Sequence, residues 1–416
     1  MIRKIKIQDK AGNLLLSEEI SADGINVSVS IDGLSSQNVQ DALSEILDKI
    51  SRLSGTTSGI IVDGVGEISK DMGNISAGTN IDGLTLSQVL LAAYGDKNKI
   101  KLLHLSDTHG GTACITACIQ EAKDDTEVAM VLHTGDIGTQ PYNIMLDADC
   151  EQPVLGILGN HDAWDTYSHV HEDGVAAVKA LNGNNVTWGT NDNSYWYKDV
   201  VTEAGKTIRF IALNEYDYSN SAAVAWIYTV CYTQAQMEWF LNLLHDTPSD
   251  YFIVLIVHQP VHSGEPSDEG WTCPGRENMA YSGPDATWLP RIMHAYKNRA
   301  IFSDTFRPTY REALNFSVEK DFSDLDASAT FLCYLAGHAH CDWCGHLPDY
   351  PDQLILDVTR ADTNATIGTD DVDRSEITYA ANKVTFDLTL RKIVVERIGS
   401  TTLVGGGSRS KIEFDF

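Results

Sequence analysis

The chain is expected to fold as an α/β domain with largely parallel strand pairing, preceded by a small N-terminal extension. Three observations predict this. Short apolar runs bounded by polar residues recur from residue 99 onward, helical patterns lie between several of them, and the first 97 residues have a different texture. The expected division is therefore 1–97 and 98–416.

Residues 1–97 are rich in Ser, Gly, Asn and Asp and contain no Cys, His or Trp. A faint repeat runs through them: "IDGLSSQNVQDALSEIL" begins at Ile31 and "IDGLTLSQVLLAAYG" at Ile81. Each copy has a turn-forming Asp-Gly, then Ser or Thr as a helix N-cap, then apolar residues at helical spacing. In the first copy Val39, Leu43, Ile46, Leu47 and Ile50 form one stripe of a helix. So few reactive side chains suit an attachment or oligomerisation segment.

Beyond it, "KIKLLHLS", "EVAMVLHTG", "PVLGILGN", "KTIRFIALN", "YFIVLIVHQ" and "TFLCYLAGH" read as buried strands. "TACITACIQEAKDD" and "TQAQMEWFLNLLHD" read as amphipathic helices between them. "KVTFDLTLRKIVVERIG" alternates apolar and polar residues and predicts an antiparallel strand or hairpin closing a sheet. "KIEFDF" is a short terminal strand.

Composition excludes several classes. The formal charge is −28, from 58 acidic and 30 basic residues. No Lys/Arg stripe is present to grip a nucleic-acid backbone, so duplex binding is not expected. The start "MIRKIKIQDKAGN" lacks an apolar h-region, and no apolar run reaches the ~18 residues a membrane span needs. A cytoplasmic or phage-associated location is therefore expected. Eight scattered cysteines suit reduced thiols, and the pair Cys341 and Cys344 has no second pair to complete a zinc site.

The ends of the apolar runs carry the chemistry. Asp107 and His109 follow the first, Gly135 and Asp136 the second, and Gly159, Asn160, His161 and Asp162 the third. His258 ends a fourth run; Gly337, His338 and His340 end a fifth. The C-terminal edge of an open α/β sheet is where ligands bind. Asp107, His109, Asp136, Asn160, His258, His338 and His340 together offer imidazole, carboxylate and amide oxygen without thiolate. That mix suits Mn, Fe or Zn. Seven donors exceed one ion with an open position and suit two ions ~3.5–4 Å apart that share a carboxylate. In D-x-H and H-x-H, alternate residues just past a strand would reach the same side. Glycine before Asp136, Asn160 and His338 would permit close backbone approach. One D-x-H arises readily by chance; five motifs in order, each at a strand end, do not.

This ordered set resembles the calcineurin-like metallophosphoesterase family over roughly residues 99–400, with D-x-H, G-D, G-N-H-[DE], H and G-H-x-H all intact. The resemblance implies a four-layer α/β/β/α sandwich of two mixed sheets. It implies Asp107, His109 and His340 as ligands of a first metal and Asn160, His258 and His338 as ligands of a second, bridged by Asp136. His161 matches the family's non-ligand histidine, which contacts the phosphate and protonates the leaving group, and Asp162 its acidic partner. The implied activity is hydrolysis of phosphate mono- or diesters by a hydroxide bridging the two metals. "NVQDALSEI" and "GTNIDGLTL" resemble leader segments of phage tail and fibre proteins, which points to a homo-oligomer formed through residues 1–97.

The other histidines are read as structural. His104 and His133 lie inside strands, where packing or hydrogen bonding is expected. The substrate is expected to be a small, ring-bearing phosphoester such as a nucleotide, because aromatic-rich stretches follow His161, Tyr216 and His258. The competing reading is a structural or adhesion protein whose functional end is residues 1–97 and whose phosphoesterase domain is secondary.

Overall fold

In a computed structural model, the described residues are strand segments between 3 and 85, then 97–164, 171–189, 194–217, 230–261, 288–307, 315–340, 342–358, 379–401 and 410–416. The helix expected over Val39–Ile50, most of the aromatic stretches after His161, Tyr216 and His258, and Cys341 lie outside them.

The chain divides into two compact units: Met1–Lys99 with Asp387–Leu390, and Ile100–Phe386 with Arg391–Phe416. In the first, β1 (Arg3–Asp9) pairs antiparallel with β2 (Leu14–Ile20) and β3 (Thr57–Val62), and β3 with β4 (Gly66–Ile68). The two-residue strands β5 (Asn80–Ile81) and β6 (Leu84–Thr85) pair antiparallel with each other.

The second unit contains two mixed sheets. One is built on β7 (Lys99–Leu105), β8 (Val128–His133) and β9 (Val154–Gly156), which run parallel. The other has a parallel centre of β12 (Thr207–Ala212), β13 (Phe252–Ile256), β16 (Thr330–Ala336) and β18 (Tyr350–Asp357). Its edges are antiparallel: β10 (Thr187–Trp188) and β11 (Trp196–Val201) on one side, β17 (Cys344–Leu347) on the other. A separate ribbon joins β14 (Ile301–Phe306) and β15 (Phe316–Asp321). All six residues of β12 are buried, so both faces of its sheet are covered, which is why it reads as a continuous apolar run.

Helices line the outer faces. α1 (Ala113–Asp124) and α2 (Thr139–Leu146) put Cys114, Ile115, Cys118 and Met145 into a core with Leu103, Leu105 and Val131. α3 (Asn160–Trp164) and α4 (His171–Asn182) follow β9. α5 (Gln234–His245) begins where Thr233 accepts the Gln236 N–H, and with α6 (Trp288–Lys297) it packs Met237, Phe240, Leu241 and Trp288 against Ile253, Leu255 and Tyr334. Between the sheets, the Phe210 and Phe386 rings meet at 6.0 Å, and the buried pair Arg397–Asp342 joins the C-terminal strands to the segment after β16.

The C-terminal alternation becomes β19 (Ala380–Asp387) and β20 (Lys392–Gly399), with β21 (Lys411–Asp415) antiparallel to β20. β19 does not close the sheet. It lies beside β7 in the middle of the order β21-β20-β19-β7-β8-β9, and its residues are nearly all buried. The alternating polar face belongs to β20 alone.

Candidate metal centre

The five segments named above all end at one edge. β7, β8 and β9 deliver Asp107, Asp136 and Asn160, while β13 and β16 deliver His258 and His338. Parallel pairing persists beyond the strands: the Asp107 and His109 N–H groups donate to the Gly135 and Asp136 carbonyls, and Gly337 N–H to the His258 carbonyl. The loops are thus held side by side where the sheets stop.

Each central carboxylate divides its oxygens. Asp107 Oδ2 accepts the His338 N–H at 2.8 Å, and Asp136 Oδ1 accepts the His161 N–H at 2.8 Å. The other oxygens are buried without hydrogen-bond partners and face imidazole nitrogens. Asp107 Oδ1 lies 3.2 Å from His340 Nε2 and 3.6 Å from His109 Nε2. Asp136 Oδ2 lies 3.5 Å from His258 Nε2 and 3.6 Å from His109 Nε2, midway between the two groups. Asn160 Oδ1 is 2.9 Å from both His258 Nε2 and His338 Nδ1.

His258 Nδ1 meets the Thr134 carbonyl at 2.7 Å. A carbonyl only accepts, so Nδ1 carries a proton, and Nε2 is the nitrogen turned inward toward Asn160 Oδ1 and Asp136. Three sets of donor atoms lie close enough to share an ion: Asp107, His109, His340; His109, Asp136, His161; and Asp136, His258, His338. Carboxylate oxygens left without a hydrogen-bond partner and faced by ring nitrogens could hold cations, and the donors that meet here among the described residues are carboxylate, imidazole and the Asn160 amide oxygen. The seven predicted ligands are therefore brought together.

The electrostatics agree. Burial would raise Asp107, but His109 and His340 hold its carboxyl well below the usual range. Asp136 is likewise held low against burial, by His258, His161 and His109. Burial lowers His258, yet Asp136 and Asp107 outweigh it and lift the imidazole to about 10. Burial and His258 push His338 down to about 3. These shifts describe a pocket that favours positive charge beside Asp136.

The backbone explains the motif spacing differently from strand alternation. Among the described residues, seven non-glycine residues have positive φ, and five of them are Asp107, His109, Asp136, His338 and His340. Each left-handed residue costs ~1 kcal/mol or more. D-x-H and H-x-H thus each place two left-handed residues on either side of one spacer, Thr108 or Ala339; Asp107 and His109 meet in one set of donors, while His338 and His340 serve two different sets. Gly135, at φ +100°, has the close approach the sequence suggests: a Cβ there would lie 2.5 Å from His258 Nδ1 and 2.7 Å from Gly159 N.

His161 and Asp162 behave unequally. His161 is 37% exposed, 4.0 Å from Asp136 Oδ2, with its ring edge-on to His109. Asp162 does not meet His161. Its carboxylate accepts the N–H groups of Ile137, Gly138 and Gly159, which is half of a capping box at the start of α3. Burial and Asp136 raise it to about 6. Its position one residue from His161 suggests a partner, but the hydrogen bonds of its carboxylate run to backbone amides.

His104 and His133 are buried and hydrogen-bonded to Thr134 and Thr108, as expected. The residue the sequence did not single out is Glu215, at the end of β12. It is 2% exposed, and its carboxylate accepts the N–H groups of His258 and Gln259. Burial raises it to about 7. A glutamate directly after "FIALN" was the available signal, since an acid ending a buried run needs partners.

No curated protein matches the chain. Solved structures to which it is similar include a dimetal phosphatase from Danio rerio (11% identity, 76% of this chain and 98% of that one, TM-score 0.45). Another is GAP50, the anchor in the inner membrane complex of Plasmodium (12%, 77% and 89%, TM-score 0.42). A third is PhoD (11%, 100% and 83%, TM-score 0.43). Residues 100–342, more than half of the chain, match the profile of the calcineurin-like phosphoesterases, and the chain belongs to that family.

Proposed function

We propose that the chain hydrolyses small phosphate mono- or diesters with two divalent ions of the Mn, Fe or Zn kind. The observation that carries this is Asp136 Oδ2, buried without a hydrogen-bond partner between His258 Nε2 and His109 Nε2. Asp107, His109 and His340 would hold one ion and Asn160, His258 and His338 the other, with Asp136 shared. Two such ions would supply Lewis acidity to a phosphoryl oxygen and an acidified water as nucleophile.

The protein's own groups do the rest. The backbone amides of His338 and His161 orient the two carboxylates. The Thr134 carbonyl fixes the His258 tautomer. His161 is the most exposed of the histidines converging there, so it faces the incoming phosphoester and can protonate the departing oxygen. The substrate proposed is small and ring-bearing, such as a nucleotide, from the aromatic stretches flanking His161 and His258. Residues 1–97 are read as an attachment or oligomerisation segment.

The test is the full chain, loaded with Mn²⁺, assayed against p-nitrophenyl phosphate and its bis-ester. Turnover that EDTA abolishes and Mn²⁺ restores supports the proposal; no turnover of either ester with two ions bound sinks it. Asp136→Ala is expected to bind neither ion tightly, as measured by elemental analysis after desalting.

A further inference from the structure

Glu215 is a buried carboxylate with no Lys or Arg partner among the described residues. Oε2 accepts the His258 N–H at 2.6 Å and the Gln259 N–H at 2.7 Å, and Oε1 accepts the Tyr232 hydroxyl at 3.3 Å. Burying a carboxylate is costly unless its lone pairs are met. Here they are met by the two amides that follow β13, where the chain turns to present His258.

The platform beneath Glu215 is itself fixed. Its carbonyl accepts the Cys231 N–H at 2.7 Å. The preceding residue, Asn214, is gripped by the Gln236 side chain, which accepts its N–H at 2.8 Å and donates to its carbonyl at 2.9 Å. Gln236 belongs to α5, so the helix, the end of β12 and the His258 turn form one hydrogen-bonded chain. The imidazole is held from the other side by the Thr134 carbonyl. Among the described residues, the hydrogen bonds of the Glu215 carboxylate run to His258, Gln259 and Tyr232.

We infer that Glu215 is the positioning residue for His258: its carboxylate fixes the backbone turn that aims Nε2 at the second metal position, and so sets the affinity of that position and not of the first. This rests on the reading of His258 as a ligand. Residues that orient a metal ligand typically account for ~10–100-fold in affinity.

The experiment is a Mn²⁺ titration of the metal-free full chain, by calorimetry and by electron paramagnetic resonance, which separates a spin-coupled pair from a lone ion. Glu215→Asp keeps the charge but withdraws it by one methylene. Glu215→Met keeps the length and removes the acceptor. Both are expected to weaken the second ion ~10–100-fold, to replace the coupled signal by a lone-ion signal, and to leave the first ion unchanged. Glu215→Gln, whose amide oxygen can still accept both N–H groups, is expected to restore the pair.

Wild-type affinity for both ions in whichever of the Asp and Met variants folds, judged by melting in EDTA, overturns the inference. So does equal weakening of both ions in all three variants, the mark of a general structural role. His258→Ala, run alongside, separates the two readings. Two tight ions in that variant sink the assignment of the site, and the inference with it. Loss of the second ion there, with both retained in Glu215→Asp, sinks the inference alone.

Discussion

His161 shows how far one side chain's task depends on its exposure. It shares a tripeptide with Asn160 and Asp162, yet Asn160 is fully buried with Oδ1 between two imidazoles, while His161 stands at the mouth. His161→Ala is therefore expected to keep both ions and to lose ~10²–10⁴-fold in turnover, the range of one acid–base group. Metal content and kcat on the same preparation check this, and unchanged turnover refutes the role. That these side chains would lie together was legible from their types and order, each following a buried apolar run. Glu215 left a weaker trace, a lone acid directly after an apolar run with no second motif residue beside it.

Among elements, the loops beyond β7, β8 and β9 are the informative parts. Asp162 ties the Ile137–Gly138 amides to Gly159, so it joins the loop after β8 to the first turn of α3. Asp162→Ala leaves those amides without their acceptor and is expected to lower the stability of the metal-free chain by ~1–3 kcal/mol. Denaturant melts in EDTA measure it. A loss of turnover with no loss of stability would instead return Asp162 to the role of orienting His161. The strands themselves were visible as apolar runs. The five left-handed residues were not: Asp and His enter that conformation more readily than most side chains, but which of them do so is set by the tertiary contacts around each loop. The place of β19 beside β7 was also hidden: alternation tells which face is wet, not which neighbour a strand pairs with.

At the scale of the molecule, two inward carboxylate oxygens without hydrogen-bond partners must be balanced by positive charge. Metal binding and folding are then linked, and each site should contribute ~2.7 kcal/mol at a free ion concentration 100 times its dissociation constant. Adding Mn²⁺ to EDTA-treated protein is expected to raise the melting temperature, and the rise should vanish in Asp136→Ala. For the N-terminal unit, the expectation is that the full chain sediments as an oligomer and residues 98–416 as a monomer; identical states for both would remove the oligomerisation role. By itself the sequence determined the α/β class, the order of the strands along the chain and the seven polar residues that follow the buried runs, because a polar side chain at the end of a buried strand must find partners. Only the tertiary structure decided which oxygens face the centre, that Asp162 serves the loops, and that Glu215 holds His258. Those outcomes depend on which backbone amides the fold leaves pointing at each carboxylate, and no local pattern of residues encodes that.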